Sequence, residues 1–411
     1  MNPVYIVGIG MTPFGRHLER SVKDLTREAV GAALRDAGCE LQDVQAAWFA
    51  NTRQAMLEGQ NTIRGQCALR AMGFQSIPII NVENACASSS TGLLGAMAHI
   101  RAGMCDVALV AGTEKMNFPD QPEAVARAFL GGTDIYDLEA THERLLKVGQ
   151  GIGPEEAAQP GAVRSFFMDS YAAFARLHMK TYGSAQEHFA AAAAKNHNHS
   201  KHNENAQYRF EMTVDAVMAD RPVVWPLTRS MCAPISDGAA ALVVCSEAAL
   251  ARFGRTRAVK VAACALVSGS DRAPEAFDKH IGRRAATLAY EQAGIGASDL
   301  DVVEVHDATA YSEIQQIENL GLFAPGEGGP ATLRGETTYG GKFVVNPSGG
   351  LLSRGHPIAA TGAAQLHELV LQLRGEAGPR QVPGARCAMA ENGGGFLQVE
   401  EAATVCTILT R

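Results

Sequence analysis

SIPIINVENACASSSTGLLGAMAHIRAG (residues 76–103) and KFVVNPSGGLLSRGHPIAATGAAQLHELVLQLRG (residues 342–375) are built alike. Each starts with a β-branched run and passes through a turn of small residues holding one reactive side chain, Cys86 in the first and His356 in the second. Each then continues as an Ala-rich stretch long enough for a helix. An apolar strand running into glycine follows both: CDVALVAGTEK at 105–115 and RCAMAENGGG at 386–395. The likeness extends upstream. VYIVGI (4–9) reads as a buried strand, and RSVKDLTREAVGAALRDA (20–37) as an amphipathic helix with Leu25, Ala29, Ala32 and Ala33 inward, ended by Gly38. A strand follows at 44–50. About 256 residues later GRRAATLAYEQAG (282–294) and DVVEVHDA (301–308) repeat that helix and strand.

The duplication predicts an α/β protein of two related halves, residues 1–117 with 229–255 and residues 256–411, packed about a pseudo-twofold so that their reactive turns converge in one cleft. The apolar run 239–245 within MCAPISDGAAALVVCSEAAL reads as the last strand of the first half. Residues 118–228, richer in Pro, Asn, His and Met, read as an inserted domain that covers the cleft, with helical pieces at 163–183 and 185–198.

Composition excludes several classes. A chain of 411 residues with 46% hydrophobic and 19% charged residues folds as roughly two to three domains. The net charge is −7 and the 36 Lys and Arg form no block, so nucleic acid and anionic membrane surfaces are not expected partners. The start MNPVYIVGIGMTPFGR has no basic region followed by an apolar core, and no apolar run approaches the roughly 18 residues of a membrane span; a cytoplasmic location is expected. The nine cysteines are odd in number and form no CxxC pair, as expected of reduced thiols.

Cys86 precedes a predicted helix, where unpaired amides and the helix dipole favour a thiolate, and its small neighbours leave room for a substrate. His356 lies among Gly349, Gly350 and Gly355, which permit close backbone approach, and its near-neutral reference pKa suits it to take and return a thiol proton. His306 and Asp307 end a strand, the place where a side chain reaches a ligand cleft. Gly393, Gly394 and Gly395, after Glu391 and Asn392, offer backbone amides for an oxyanion hole. NHNHSKH brings His197, His199 and His202 close in sequence, but no cysteine or paired carboxylate completes a metal site, so none is expected. GIGMTPFG fails as a dinucleotide loop because Pro13 replaces the third glycine. Trp48 and Trp225 read as core or interface residues.

NACASSS, SDGAAALVV, VHDA, NPSGG followed by GHPIAATG, and ENGGG resemble the motifs of the thiolase superfamily in order and spacing, over nearly the whole chain. VGIGMTPFGR and KNHNHSKHNENAQ resemble most the sterol-carrier-protein-type thiolases and acetyl-CoA acetyltransferases. The resemblance implies a thiolase fold, two βαβαβαββ halves in αβαβα layers with an inserted loop domain. It implies Cys86 as the nucleophile, His356 as its activator, His306 near a water or substrate oxygen, and Asn346 and Gly350 as substrate-binding positions. The amides of Cys86 and Gly393 would form the oxyanion hole. The implied reaction is acyl transfer through acyl-Cys86: thiolytic cleavage of a 3-ketoacyl-CoA or the reverse Claisen condensation, with coenzyme A as substrate and no bound cofactor. Homodimers are implied, and a small zinc-ribbon/OB-fold partner is a further possibility of the type.

One departure matters. Thiolases normally use a second cysteine on the substrate carbon, and at the two places where it occurs this chain has Glu391 and Ala308, with Cys387 four residues from the first. Glu391 can serve if burial raises its pKa, or can merely cap a loop; Tyr311 is the other candidate. The alternatives are acyl transfer to an acceptor other than CoA, a retro-aldol lyase, or a scaffold subunit. Retained Cys86, His306 and His356 argue against the last two.

Overall fold

In the chain's alternating strands, successive side chains point to opposite faces, and the two faces of each sheet bury separate cores. The computed structural model describes residues 2–153 and 165–411. Ten strands hydrogen-bond in one continuous array, a five-stranded sheet from each half: β1 (Val4–Met11), β2 (Ala46–Ala50), β3 (Ile79–Val82), β4 (Val107–Glu114), β5 (Gly238–Ser246), β6 (Val259–Ser268), β7 (Val302–Glu304), β8 (Val344–Val345), β9 (Cys387–Gly394) and β10 (Ala403–Thr410). Their spatial order is β3-β2-β4-β5-β1 in the first half and β8-β7-β9-β10-β6 in the second. Adding five to each label of the first order gives the second. The directions match as well: β2 is parallel to β3 and β4 as β7 is to β8 and β9, and the remaining pairs are antiparallel. The halves meet where β1 and β6 pair through Tyr5 with Lys260 and Ile6 with Val259.

The longer helices are α1 (Val22–Ala37), α2 (Ser88–Arg101), α3 (Phe166–Tyr182), α4 (Gln186–Ser200), α5 (Ile281–Ala293), α6 (Ala310–Asn319) and α7 (Thr361–Arg374). Ser21 and Asp24 form a capping box at the start of α1, and Gly38 at φ 63° ends it, as the sequence predicts. Val243 and Cys245 of β5 face α1, with Leu25, Ala29 and Ala33, in one outer core. Leu242 and Val244 of the same strand face the central core, where Leu93 and Met97 of α2 and Leu366 and Val370 of α7 lie between the sheets. The opposite face of the second sheet, with Val303, Met389 and Ile408, packs on α3 to α6. This is the αβαβα layering of the thiolase fold.

The inserted segment differs from a simple cover. Phe129, Gly132, Ser165, Phe167, Met168 and Tyr171 line the cleft. In contrast α4 is buried over nearly its whole length and belongs to the outer core of the second half, holding that half's loops instead of covering the site. Residues 163 and 164, where the first expected helix begins, lie outside the described residues. Trp48 is core, edge-on to His99 at 5.2 Å.

Candidate active site

Cys86 sits in a single turn, Ala85–Ala87, between β3 and α2. Ala85 holds φ 47°, a left-handed conformation that costs a non-glycine residue energy and that packing must enforce. Packing does so through Gly394: a Cβ there would stand 2.7 Å from the Ala87 nitrogen and overlap the Asn84 carbonyl, so the end of β9 in the second half lies directly against the turn of the first. The thiol therefore reaches the interface between the halves, half-buried, at the head of α2.

His356 arrives from the matching turn. Its Nε2 is 3.3 Å from Cys86 Sγ. Its Nδ1 lies 2.7 Å from Thr361 Oγ1, whose own proton goes to the Pro357 carbonyl at 3.1 Å. The hydroxyl thus accepts from Nδ1–H, leaving the Nε2 lone pair directed at the thiol. His306 stands edge-on to His356, ring centres 5.2 Å apart. The Asn392 amide donates to His306 Nδ1 at 3.2 Å while its carbonyl accepts from Ser90 Oγ at 2.7 Å. His306 consequently carries its proton on Nε2. The two imidazoles are set as opposites, one a proton acceptor and one a donor, by Thr361 and Asn392, neither of which is a candidate on sequence grounds.

Burial governs the resting charges. It pushes the Cys86 thiol up to about 12, against the opposing pull of Arg53 and of the Gly395 and Cys86 backbone amides. It holds His306 down to about 3 and His356 well below the usual histidine range, the latter helped by the neighbouring His306 and Arg354. The pair rests as thiol and neutral imidazole.

Several expected positions fall elsewhere. Gly395, not Gly393, directs its amide at the sulfur; Gly393 lines the cleft with its Cα against the Glu401 side chain. Asn346 is fully buried, accepting from the Val305 amide and donating to Glu313, so it fixes the strand end before His306 and does not touch the cleft. Gly350 is small because the Asp307 carboxylate packs against it and takes the Leu351 amide. Glu391 lies behind the cleft wall, where Oε2 accepts the His306 backbone N–H at 2.9 Å. Burial and Glu401 raise its pKa to about 8. Tyr311 is buried in the outer core, away from the cleft. His197 and His199 are separately engaged, with Ser353 and with Asn346 and Thr338, while His202 is exposed.

Glu401 is the carboxyl that does line the cleft. Its Oε1 accepts from Gln316 at 3.0 Å; its Oε2 is buried without a hydrogen bond, since His280 Nε2 at 3.3 Å is not aligned to donate. Burial raises it to about 7. Sequence reading missed it because it lies beyond the ENGGG motif, on a hairpin with no chemical signature. The cavity holds about 100 Å³; beyond Arg53, Ser165 and Tyr171 it is apolar, with Met116, Phe129, Phe167, Met168, Ile235 and Ile358 around the reactive groups.

Residues 4–220 match the family model of the thiolase N-terminal domain, and residues 270–409 that of the thiolase C-terminal domain-like family. The chain belongs to the thiolase family. Among curated thiolase-related proteins it is 38% identical to sterol carrier protein 2 of Rattus norvegicus, over 95% of this chain and 69% of that protein. It is 37% identical to an acetyl-CoA acetyltransferase of Methanothermobacter thermautotrophicus, over 96% and 97% of the two chains. A benzoylsuccinyl-CoA thiolase subunit of Thauera aromatica is 34% identical over 95% and 94%. The fold of this thiolase superposes on the Ltp2-ChsH2(DUF35) aldolase with a TM-score of 0.77 at 23% identity, covering 99% of this chain and 97% of that one. With human mitochondrial 3-ketoacyl-CoA thiolase the TM-score is 0.69 at 17% identity, covering 100% and 98%.

Proposed function

We propose that this thiolase-family acyltransferase works through an acyl-Cys86 intermediate, cleaving a 3-ketoacyl-CoA with coenzyme A or running the reverse condensation. The observation that carries the reading is the 3.3 Å contact between Cys86 Sγ and the unprotonated Nε2 of His356. His356 takes the thiol proton as sulfur attacks the keto carbon, and the oxyanion accepts from His306 Nε2–H or the Gly395 amide. The C2–C3 bond breaks, its electron pair passes to the departing acyl-CoA enolate, and C2 receives a proton. The CoA thiol, its proton taken by the group that protonated C2, then attacks acyl-Cys86, and His356 returns the proton it holds to the leaving cysteine sulfur.

In place of a second cysteine, Glu401 is the group for the carbon proton. It lines the cleft with an unpartnered oxygen and a pKa near neutrality, where a proton can pass in either direction. Glu391 instead holds the His306 backbone. The retained thiol–imidazole pair favours acyl transfer over a retro-aldol lyase, and a homodimer is the assembly this reading carries, tested by native mass. The experiment is intact-protein and peptide mass spectrometry of Cys86 during turnover of a 3-ketoacyl-CoA panel with and without CoA, against Cys86→Ala. Acylated Cys86 that clears on CoA addition is expected; turnover in Cys86→Ala would refute the mechanism.

A further inference from the structure

Every deeply buried arginine of this protein but one has a fixed partner among the described residues. Arg272 pairs with Glu400 at 2.7 Å, Arg354 with Glu304 at 3.0 Å, Arg374 with Asp36 at 2.8 Å and Arg380 with Glu368 at 2.9 Å, while Arg176 donates to the Trp225 carbonyl at 2.8 Å. Arg53 is the exception. It is 8% exposed and lines the reaction cleft with Cys86 and His356. Its Nε is buried without a partner, and among the described residues no ion pair or hydrogen bond engages the guanidinium, which lies 5.9 Å from the Phe129 ring centre. Leaving a buried charge unpaired costs several kcal/mol, a cost the other arginines avoid.

Glu114 feels the Arg53 charge but makes no hydrogen bond to the guanidinium. Glu114 spends its carboxylate on the Arg53 and Thr52 backbone amides, the Thr52 hydroxyl, Asn51 and the Ala359 amide, and so staples the loop backbone that carries Arg53. Gly132 keeps space open beside the guanidinium: a Cβ there would come within 3.2 Å of Nη2. Beyond the reactive groups, Glu401, Ser165 and Tyr171 the walls are apolar, and among the described lining residues Arg53 is the one fixed cation, within electrostatic reach of the reacting sulfur.

We infer that Arg53 binds a carboxylate carried on the acyl portion of the substrate, so that the preferred thioester is a 3-ketoacyl-CoA with a second, anionic group. The inference rests on the acyl-transfer reading above. A planar guanidinium takes a carboxylate through two parallel hydrogen bonds, and in an apolar cavity each charged bond is strong. A CoA phosphate is the other possible source of the anion, but the pantetheine arm holds the phosphates far from the thioester sulfur, whereas Arg53 lines the same cavity as Cys86.

The test compares kcat/KM for two 3-ketoacyl-CoA thioesters of equal chain length, one ending in a carboxylate and one in its methyl ester, in wild type, Arg53→Gln and Arg53→Lys, with the same two acyl groups on N-acetylcysteamine. Wild type should favour the carboxylate by roughly tenfold or more, from charged hydrogen bonds worth about 1.5–3 kcal/mol. The ratio should collapse in Arg53→Gln, partly return in Arg53→Lys, and persist on N-acetylcysteamine. Equal losses on both CoA thioesters would overturn the inference, assigning Arg53 to the sulfur or, if the N-acetylcysteamine thioesters are spared, to a CoA phosphate. A second readout needs no turnover: the ratio of Cys86 alkylation by iodoacetate to that by iodoacetamide, followed by mass. A fall of about tenfold or more in Arg53→Gln supports carboxylate capture even if no thioester in the panel reacts; an unchanged ratio overturns it.

Discussion

Aspartate in place of Asn392 changes one atom pair and should disarm His306 without disturbing the fold. In the native site the amide nitrogen donates to His306 Nδ1 at 3.2 Å and the amide oxygen accepts from Ser90 at 2.7 Å. A carboxylate keeps the Ser90 bond but can only accept at the second position, so the imidazole proton moves to Nδ1 and Nε2 turns a lone pair toward the cleft. An oxyanion donor becomes an acceptor. Removal of one such donor costs on the order of 10²–10³ in kcat, about 2.7–4 kcal/mol. Because burial holds the His306 pKa down to about 3, an added carboxylate, worth roughly 1–3 pH units at close range, leaves the ring neutral at pH 8. The assay is kcat at pH 8 for Asn392→Asp, His306→Ala and the double variant, with thermal melts as the folding control. If the donor role is shared by the two residues, the double variant falls no further than His306→Ala alone. A value for Asn392→Asp within about threefold of wild type, or additive losses in the double variant, would refute the tautomer argument.

Other outcomes follow from the same geometry. Thr361→Val removes the acceptor for His356 Nδ1–H and should lower kcat by roughly 10–100-fold, with slower iodoacetamide alkylation of Cys86 at pH 7.5. Glu401→Gln should slow exchange of the substrate's α-proton for deuterium, read by mass spectrometry, while Glu391→Gln leaves that exchange within a few fold; the reverse pattern would return the carbon proton to Glu391. Gly394→Ala forces a Cβ into the Ala87 backbone and should destabilise by about 1–3 kcal/mol or more, seen as a lower Tm together with lost activity. The buried carboxyls Glu304, Glu391 and Glu401 have pKa values raised to about 7, 8 and 7, so folding retains protons that the unfolded chain releases above about 4.5, and they make stability fall as pH rises from there to about 8. Buried histidines such as His306 and His199, held neutral, oppose this only below about 6.5. Stability by urea titration should therefore decline from about pH 6.5 to 8, and Glu391→Gln and Glu401→Gln should each flatten that decline.

The repeat in the sequence reached far into the fold because it is a pattern of spacing, and spacing survives translation into strands and helices with little help from context. Buried β-branched runs, capped helices and glycine-ended strands are local properties of the chain. They placed the five strands of the first half, three of the five in the second, and the turns that bear Cys86 and His356; β6 and β10 carried no such local signal. The unbroken apolar run of β5 matches a strand buried on both faces. The reactive cysteine and both histidines were visible as motif residues at matching turns. Their protonation was not, because a tautomer depends on whichever atom packs against the far side of the ring, here Thr361 five residues along and Asn392 from a different strand. The motif also pointed to Glu391, whose side chain turns behind the cleft wall to the His306 amide; side-chain direction on β9 is settled by its pairing with β10 and not by distance from the glycines. Glu401 and Arg53 carry no sequence signature at all. A carboxyl on a hairpin and an arginine after a strand are ordinary surface residues until packing removes their water, and only the closure of the two halves and the inserted segment over the cleft does that.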